Sequence, residues 1–173
     1  MKKMIVSALL IVTASGVGTV QAADGTVRFT GNITDQTCTV ASGSQNLNVV
    51  LGSVAKSALN GSAGLRAAPT KFTLSLTGCP ETVTGANVKF DGTSDPVNQS
   101  LLALDSGTGV ASGVGIQIAD KNGTAIPLHT ASPDYALATG ANTLDFIARY
   151  VSTGSAVTTG TANGTSEFTI NYK

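Results

Sequence analysis

The last fourteen residues of the sequence, 160–173, read GTANGTSEFTINYK. On an extended strand the even-numbered side chains of this stretch share one face, because successive residues point to opposite sides. That face begins small, at Gly160, and ends large, at Phe168, Ile170 and Tyr172. The large half suits a hydrophobic core, whereas the small half permits close approach by another backbone. The stretch therefore predicts a core-forming final strand of an all-β domain.

Short segments of alternating apolar residues recur along the rest of the chain and predict further strands. Lys121-Asn122-Gly123-Thr124 has the composition of a hairpin turn, and Pro127 favours an edge position for the strand that contains it. Segments 52–69 and 105–113 are rich in Gly, Ala and Ser and are expected to be loops. Frequent turns between short strands are typical of a β-sandwich. The predicted strands lie at 47–51, 72–76, 88–90, 114–118, 126–128 and 144–148.

A second informative segment lies near the start of the chain. Val27, Phe29, Gly31 and Ile33 alternate with polar residues, and no hairpin partner is evident nearby. An extended apolar arm that belongs to no local hairpin is a candidate for pairing with another chain. The alternative is an ordinary N-terminal strand in the sheet of its own chain, and the residues alone leave both open.

The first 22 residues have the features of an export signal. Met1-Lys2-Lys3 is basic, residues 4–12 are apolar, and Val20-Gln21-Ala22 fits a small-x-small cleavage site. A buried N-terminal helix is the alternative, but Gly16 and Gly18 and the lack of helical periodicity disfavour it. We therefore expect cleavage after Ala22 and export of the remainder.

Export changes the interpretation of the two cysteines, Cys38 and Cys79. An even pair in an exported chain predicts a disulfide, which would close a loop worth about 4 kcal/mol on chain-entropy arguments. A metal site needs more ligands than two distant cysteines and the single histidine, His129. A cysteine nucleophile needs a nearby base, for which His129 is the one choice.

Charge and motifs exclude several classes of function. Ten basic residues balance ten acidic residues, so nothing supplies the basic patch that nucleic acid requires. Ser53-Val54-Ala55-Lys56 matches the Ser-x-x-Lys of penicillin-recognising enzymes, but their Ser-Asp-Asn and Lys-Thr-Gly motifs are absent. No nucleotide-binding fingerprint is found, and His129 is interpreted as a surface residue near an edge strand. We predict no enzyme, and no catalytic, cofactor-binding or metal-binding residues.

Taken jointly, these features resemble the type 1 major fimbrial subunit family of chaperone–usher pili. The resemblance rests on the alternating arm with its internal Gly31, the cysteine pair, the stretch Phe146-Ile147-Ala148-Arg149-Tyr150, Gly160 as the fourteenth residue from the end, and the penultimate Tyr172. It covers the whole chain. It implies a bacterial source and an immunoglobulin-like β-sandwich that lacks its seventh strand and is completed by donor-strand exchange.

The resemblance also implies how the chain is divided and what it binds. Residues 1–22 are the signal peptide, 23–35 the donor-strand extension and 36–173 the pilin domain. The donor strand presents Val27, Phe29, Gly31 and Ile33, and the strand that forms the groove and contacts the chaperone presents Gly160, Phe168, Ile170 and Tyr172. A periplasmic chaperone, with basic residues holding the carboxylate of Lys173, and an outer-membrane usher would deliver the subunit to the cell surface. There it would form a head-to-tail homopolymer, a fimbria that supports adhesion.

Two other interpretations remain open at this point. One is a minor subunit of the same assembly, such as an adaptor or terminator, or a small sugar-binding adhesin. Aromatic residues make up 5% of the chain and Trp is absent, which leaves few stacking platforms for a sugar. The other is an unrelated secreted β-domain or enzyme.

Overall fold

The computed structural model describes residues 25–31 and 37–173. Residues 37–173 belong to one compact unit and residues 25–31 to another. The described part of the larger unit contains eight strands, one short helix, α1 (Ser42–Gln45), and a 3-10 turn at Lys56–Ala58. The strands are β1 (Thr39–Val40), β2 (Thr70–Cys79), β3 (Gly85–Asp91), β4 (Val114–Asp120), β5 (Ala125–Ile126), β6 (Tyr135–Ala136), β7 (Gly140–Ser152) and β8 (Glu167–Tyr172).

The larger of the two sheets has five antiparallel strands in the order β1-β2-β7-β4-β5. β7 lies at its centre, where it pairs with β2 around Phe72↔Phe146 and with β4 around Ile118↔Ala148. The predicted hairpin joins β4 to β5, and the Asp120 carboxylate accepts hydrogen bonds from the backbone N–H groups of Asn122 and Thr124. β5 is an edge strand, which suits the proline that follows it.

The smaller sheet has three antiparallel strands in the order β6-β3-β8. β3 is central, and its pairs with β8 run from Ala86↔Tyr172 to Asp91↔Glu167. Among the described residues, β8 therefore has a neighbouring strand on one side only. β8 contains Phe168, Ile170 and Tyr172, the large apolar residues of the C-terminal stretch 160–173. The strand predicted from that stretch is therefore an edge strand of this sheet.

The hydrophobic core fills the space between the two sheets. Side chains from alternate positions of β2, β3, β4 and β7 meet there, and three phenylalanine rings pack with centroids 5.2–6.1 Å apart. A smaller apolar cluster under loop 52–69 includes Leu59, Val114 and Val157. Cys38 and Cys79 form the predicted disulfide, which links the start of β1 to the end of β2.

The predicted all-β sandwich is confirmed, with two local differences. Residues 47–51 were expected to form a strand but belong to none among the described residues. The final strand was expected from residue 160, whereas β8 begins at Glu167. Alternating side chains are present in both places, but residues 47–51 have no backbone hydrogen bond to other described residues, and residues 161 and 163 bond to a loop and not to a strand. Within the described residues, no helix is long and apolar enough to cross a bilayer; the proposed signal, residues 1–22, lies outside them.

Candidate strand-docking groove

An open groove of about 900 Å³ runs along the place where the two sheets separate. Residues 164–168 form one wall, and residues 45–49 with Leu51 form most of the other. Its floor is the apolar interior, so the core is exposed here between two walls. The floor residues are Phe72, Leu74, Phe90, Leu102, Ile116, Ile118 and Ala148.

The backbone of the final segment is satisfied on one side only. Lys173 and Gly85 exchange two backbone hydrogen bonds, so the odd-numbered residues of β8 bond to β3, because such pairs alternate. The same parity continues upstream, where Thr161 bonds to Gly109 and Ala111. The N–H and C=O groups of even-numbered residues 162–172 therefore face away from these partners. We call this row the free edge.

The opposite wall also lacks backbone partners. Residues 47–54, which we call the rim segment, form no backbone hydrogen bond with any other part of the chain that the structure describes. Val49 and Leu51 are half-buried against the core, whereas Val50 is 71% exposed. The rim segment thus has the side-chain alternation of a strand without its hydrogen bonds. An unpaired wall on each side is what a sheet with one strand missing presents.

Tyr172, at the end of β8, lies outside the lining of both this groove and the second cavity described below. Its ring packs against the core, and its hydroxyl donates a hydrogen bond to the carbonyl of Cys38 at 3.2 Å. Burial raises the pKa of this phenol, so it remains a donor at neutral pH. The disulfide holds Cys38 in place, and together these contacts join the end of β8 to the start of β1.

A second cavity of about 330 Å³ is lined by the residues that directly precede or follow those of the groove in the chain. Residues 157–163 and residues 52–54 with Lys56 form its walls, and Leu59 and Val114 contribute to its lining. Tyr150 also lines this cavity, and its hydroxyl donates a 2.7 Å hydrogen bond to the carbonyl of Ala162 on the free edge. Burial raises the pKa of the Tyr150 phenol as well. Nothing in the sequence pattern singled out this tyrosine as a groove residue, because its neighbours are distant in the chain.

The two glycines of the final segment make close contacts inside the chain. A Cβ added at Gly160 would lie 2.4 Å from the backbone nitrogen of Ala111 and from the carbonyl oxygen of Gly109. At Gly164 it would lie 2.8 Å from the Cδ1 atom of Ile116. The sequence predicted that another backbone would approach Gly160 closely. In the structure, the backbone of residues 109–111 of the same chain does so. An additional approach by a partner remains a prediction.

The arm lies within the other unit and is described only for residues 25–31. These residues form no helix or strand and are all exposed. Val27 is 77% and Phe29 is 90% exposed, values that are high for large apolar side chains. Ile33, the last predicted donor residue, lies outside the described residues.

A cluster that the sequence did not predict surrounds His129. Its Nδ1 atom lies 2.9 Å from the Asp91 carboxylate, and its Nε2 atom lies 3.3 Å from the Ser94 hydroxyl. The hydrogen bonds from His129 and then Lys89 lower the pKa of Asp91. Although the residue types are those of a hydrolase triad, the cluster lies on an exposed loop and lines neither cavity. Among residues 25–31 and 37–173, no group of three or more His, Cys, Asp or Glu side chains is placed to hold a metal.

Comparisons with known proteins place these features in a family. The sequence profile of the family described as "Fimbrial protein" matches residues 27–173. The chain is 37% identical to the probable major fimbrial subunit LpfA of Escherichia coli O157:H7, over all of this chain and 98% of that protein. It is 39% identical to the type-1 fimbrial protein subunit of Serratia marcescens, over the full length of both.

Solved structures give the same fold. An antigen and type I fimbria protein of Burkholderia pseudomallei superposes with a TM-score of 0.62 at 35% identity, over 80% of this chain and 91% of that chain. The P pilus rod subunit PapA superposes with a TM-score of 0.66 over 79% and 99% of the two chains, and at 22% identity this match supports the fold alone. The predicted immunoglobulin-like class is thereby confirmed. The chain belongs to the fimbrial protein family and is a structural pilus subunit of a surface fimbria, which associates with other pilus subunits and is not an enzyme.

Proposed function

We propose that the groove receives the N-terminal arm, residues 26–33, of another copy of this subunit, and that repetition of this exchange builds the fimbria. The observation that carries the proposal is the free edge of β8 beside an open apolar groove. An unpaired strand edge is a template for an added strand, and strand addition uses backbone hydrogen bonds for affinity and side-chain pockets for specificity.

The arm has the properties that such a groove requires. Val27, Phe29 and Ile33 fall on one face of an extended chain, and the groove offers an apolar floor to that face. Burying each of these side chains contributes about 1.5–3 kcal/mol, before the cost of ordering the arm. The docked arm would also bond to the free edge on one side and to the rim segment on the other.

The exchange generates a head-to-tail polymer. Each subunit gives one arm and receives one, and such a heterologous contact does not close on itself, so an open fibre results. Before assembly, the empty groove exposes apolar surface and unpaired backbone, which favours aggregation. A periplasmic chaperone that lends a strand, and an outer-membrane usher that exchanges it for the arm, would prevent this. One matched structure is described as a chaperone–usher pilus, which supports this route after cleavage of the proposed signal peptide.

Deletion of residues 23–33 tests the proposal. A subunit without its arm should keep the Cys38–Cys79 disulfide but form no fibres, as judged by electron microscopy of cells and by gels of sheared surface protein. The deleted subunit still has its groove, so co-expression with the intact subunit should shorten the fibres, because a chain that accepts an arm but gives none ends the polymer. Normal fibres from the deletion variant alone would refute the proposal.

A pair of point variants supplies the matched control. Phe29→Ala removes an inward-facing ring and should reduce the yield of fibres, whereas Arg28→Ala changes the adjacent outward-facing residue and should leave the yield unchanged. Equal losses in the two variants would show that the arm does not dock through this face.

A further inference from the structure

The sequence contains three Asn-Gly dipeptides, at 60–61, 122–123 and 163–164, and all three lie within the described residues. Asn-Gly is prone to spontaneous deamidation, because glycine has no Cβ to hinder attack by its backbone nitrogen on the preceding carboxamide. The reaction needs an asparagine side chain that is free to turn and a glycine N–H that no acceptor holds. The three dipeptides differ in both respects.

The dipeptide at 60–61 is held at both reacting groups. The Gly61 N–H donates to the carbonyl of Ser155 at 2.9 Å. The Asn60 carboxamide oxygen accepts a hydrogen bond from the Val157 N–H, also at 2.9 Å. Two hydrogen bonds must therefore break before the Gly61 nitrogen can reach the Asn60 side chain.

The dipeptide at 122–123 is held at its attacking nitrogen. It forms the turn between β4 and β5, where the Gly123 N–H donates to the carbonyl of Asp120 at 3.0 Å. The Asn122 residue is exposed. One hydrogen bond must therefore break before this dipeptide can react.

The dipeptide at 163–164 is held at neither reacting group. Asn163 is exposed, and its carboxamide forms no hydrogen bond with any residue that the structure describes. The Gly164 N–H belongs to the free edge and has no acceptor within residues 25–31 and 37–173. The main-chain carbonyl of Asn163 accepts a hydrogen bond from the Asp105 N–H at 2.8 Å, which leaves both reacting groups free. The attacking nitrogen and its target are thus both available while the groove is empty.

We propose that Asn163 is a site of spontaneous deamidation in the unassembled subunit, and that a strand docked along the free edge closes it. The Gly164 nitrogen attacks the Cγ atom of Asn163, a new C–N bond forms, and the side-chain nitrogen leaves as ammonia with the proton of the amide. The succinimide ring then takes up one water molecule and opens at either carbonyl, to aspartate or to isoaspartate, with no oxidation or reduction. A docked strand would close the site because the Gly164 N–H would donate to its backbone. This closure rests on the proposed function.

The products change the wall of the groove. Asn163 lines the smaller cavity and Gly164 lines the larger one. Either product places a new carboxylate on the residue whose carbonyl is bonded to Asp105. Isoaspartate also adds a methylene group to the main chain, which displaces the free edge after residue 163 relative to the part before it. A subunit that waits with an empty groove therefore loses the regular edge that an added strand requires.

Ageing of the protein in two forms tests the inference. The monomeric mature subunit with its disulfide intact and sheared fibres are incubated in parallel in heavy-oxygen water at mildly alkaline pH, then digested in acid and measured by mass spectrometry. Ring opening incorporates one oxygen from water, so the label marks each asparagine that has reacted. In the monomer, Asn163 should react about two- to tenfold faster than Asn122, because Asn122 must first lose one hydrogen bond, and Asn60 should be slowest. In the fibre, Asn163 should slow by a similar factor, whereas Asn122, which lines neither cavity, should keep its rate.

Asn163→Gln is the matched control. It keeps the carboxamide on a longer side chain, so attack by the next nitrogen would have to close a larger and less favourable ring, and the label should disappear from this peptide alone. The inference is overturned if Asn163 in the monomer reacts no faster than Asn122, or if it reacts equally fast in monomer and fibre. Either result leaves the proposed function standing, because that function fails only if the subunit without its arm still forms normal fibres.

Discussion

β7 and β8 carry similar alternations of apolar residues, yet they are buried to different extents. On β7, Leu144 and Phe146 are each 1% exposed, whereas on β8 Phe168 and Ile170 are only half-buried. β7 lies between β2 and β4, while β8 pairs, within residues 25–31 and 37–173, with β3 alone. The difference therefore reflects a missing neighbour, since the two sequence patterns are alike. An apolar strand with one partner still has unpaired backbone groups and partly exposed apolar side chains that can bind another strand. In a strand with two partners, the same groups are already paired and buried within the fold.

The first prediction compares a phenylalanine in the closed core, Phe146, with one beside the open groove, Phe168. Phe146 contacts the rings of Phe72, Phe90 and Tyr135 in the centre of the core, so Phe146→Ala should lower the free energy of unfolding by about 3–5 kcal/mol. Phe168→Ala should cost less than half of that in the isolated subunit, because its ring already borders the open groove. Urea denaturation of the two purified variants measures the difference.

If both variants fold, the yield of fibres should rank them in the opposite order, with the larger loss in Phe168→Ala. Phe168→Ala removes a wall of the groove and should reduce the yield of fibres more than its effect on unfolding explains. If Phe168→Ala destabilises the subunit as much as Phe146→Ala does, β8 belongs to the closed core and the contrast between the two strands is lost.

The same contrast explains how far the sequence predicted the structure. β2, β3, β4 and β7 followed from alternation and turn residues, because each has a neighbour that completes its hydrogen bonds. Residues 47–51, where Val50 breaks strict alternation, and residues 160–166 were also expected to be strands. In the part of the chain that the structure describes, neither belongs to a strand, and the backbone partners of residues 161 and 163 are loop residues 105, 109 and 111. Alternation reports which face is apolar; it does not report whether a partner strand is present.

Of the residues that the sequence assigned to the groove strand, Phe168 lines the larger cavity and Gly160 the smaller one, whereas Ile170 and Tyr172 line neither. Phe168, Ile170 and Tyr172 could be placed on one face because they are neighbours in the chain. The positions of Tyr150 and the rim segment depend on contacts between distant parts of the sequence, as does the bond from Tyr150 to Ala162. The prediction for Gly160 invoked a partner's backbone, and the structure shows that residues 109–111 of the same chain approach it closely.

The second prediction concerns the contact between the end of β8 and the start of β1. Tyr172→Phe keeps the ring on the core but removes the hydrogen bond to the Cys38 carbonyl. A single neutral hydrogen bond contributes about 0.5–1.5 kcal/mol, so the free energy of unfolding should fall by that amount. Hydrogen exchange should speed up at the end of β8 and change little in β7. Equal acceleration in both strands would mean that this contact supports the whole sandwich and does not act locally on the edge strand.

The third and smallest prediction concerns acid, and it acts where β3 and β8 begin to pair. Asp91 lies opposite Glu167, its carbonyl accepts a hydrogen bond from the Ser166 hydroxyl, and its carboxylate is bonded to His129 and Lys89. These partners hold the pKa of Asp91 below its usual value, so the folded state binds this proton less readily than the unfolded state does. The contribution to stability is therefore present above the unfolded pKa, near pH 4, and is lost as the pH falls through the lower folded value.

Asp91→Asn removes the titration, so the variant should be less stable than the wild type at pH 6, and the gap should close as the pH falls below about 4. Hydrogen exchange at β8 should show this convergence more clearly than exchange at β7, because β8 pairs with β3, the strand that Asp91 ends, whereas β7 lies in the other sheet. Asp134 is a second carboxylate whose pKa is lowered, by a hydrogen bond from Lys173 and then by one from Asn87. The pH dependence of Asp134→Asn can therefore be compared with that of Asp91→Asn. A constant gap between wild type and Asp91→Asn from pH 6 to pH 3 would show that the carboxylate stabilises this junction through its shape and not through its charge.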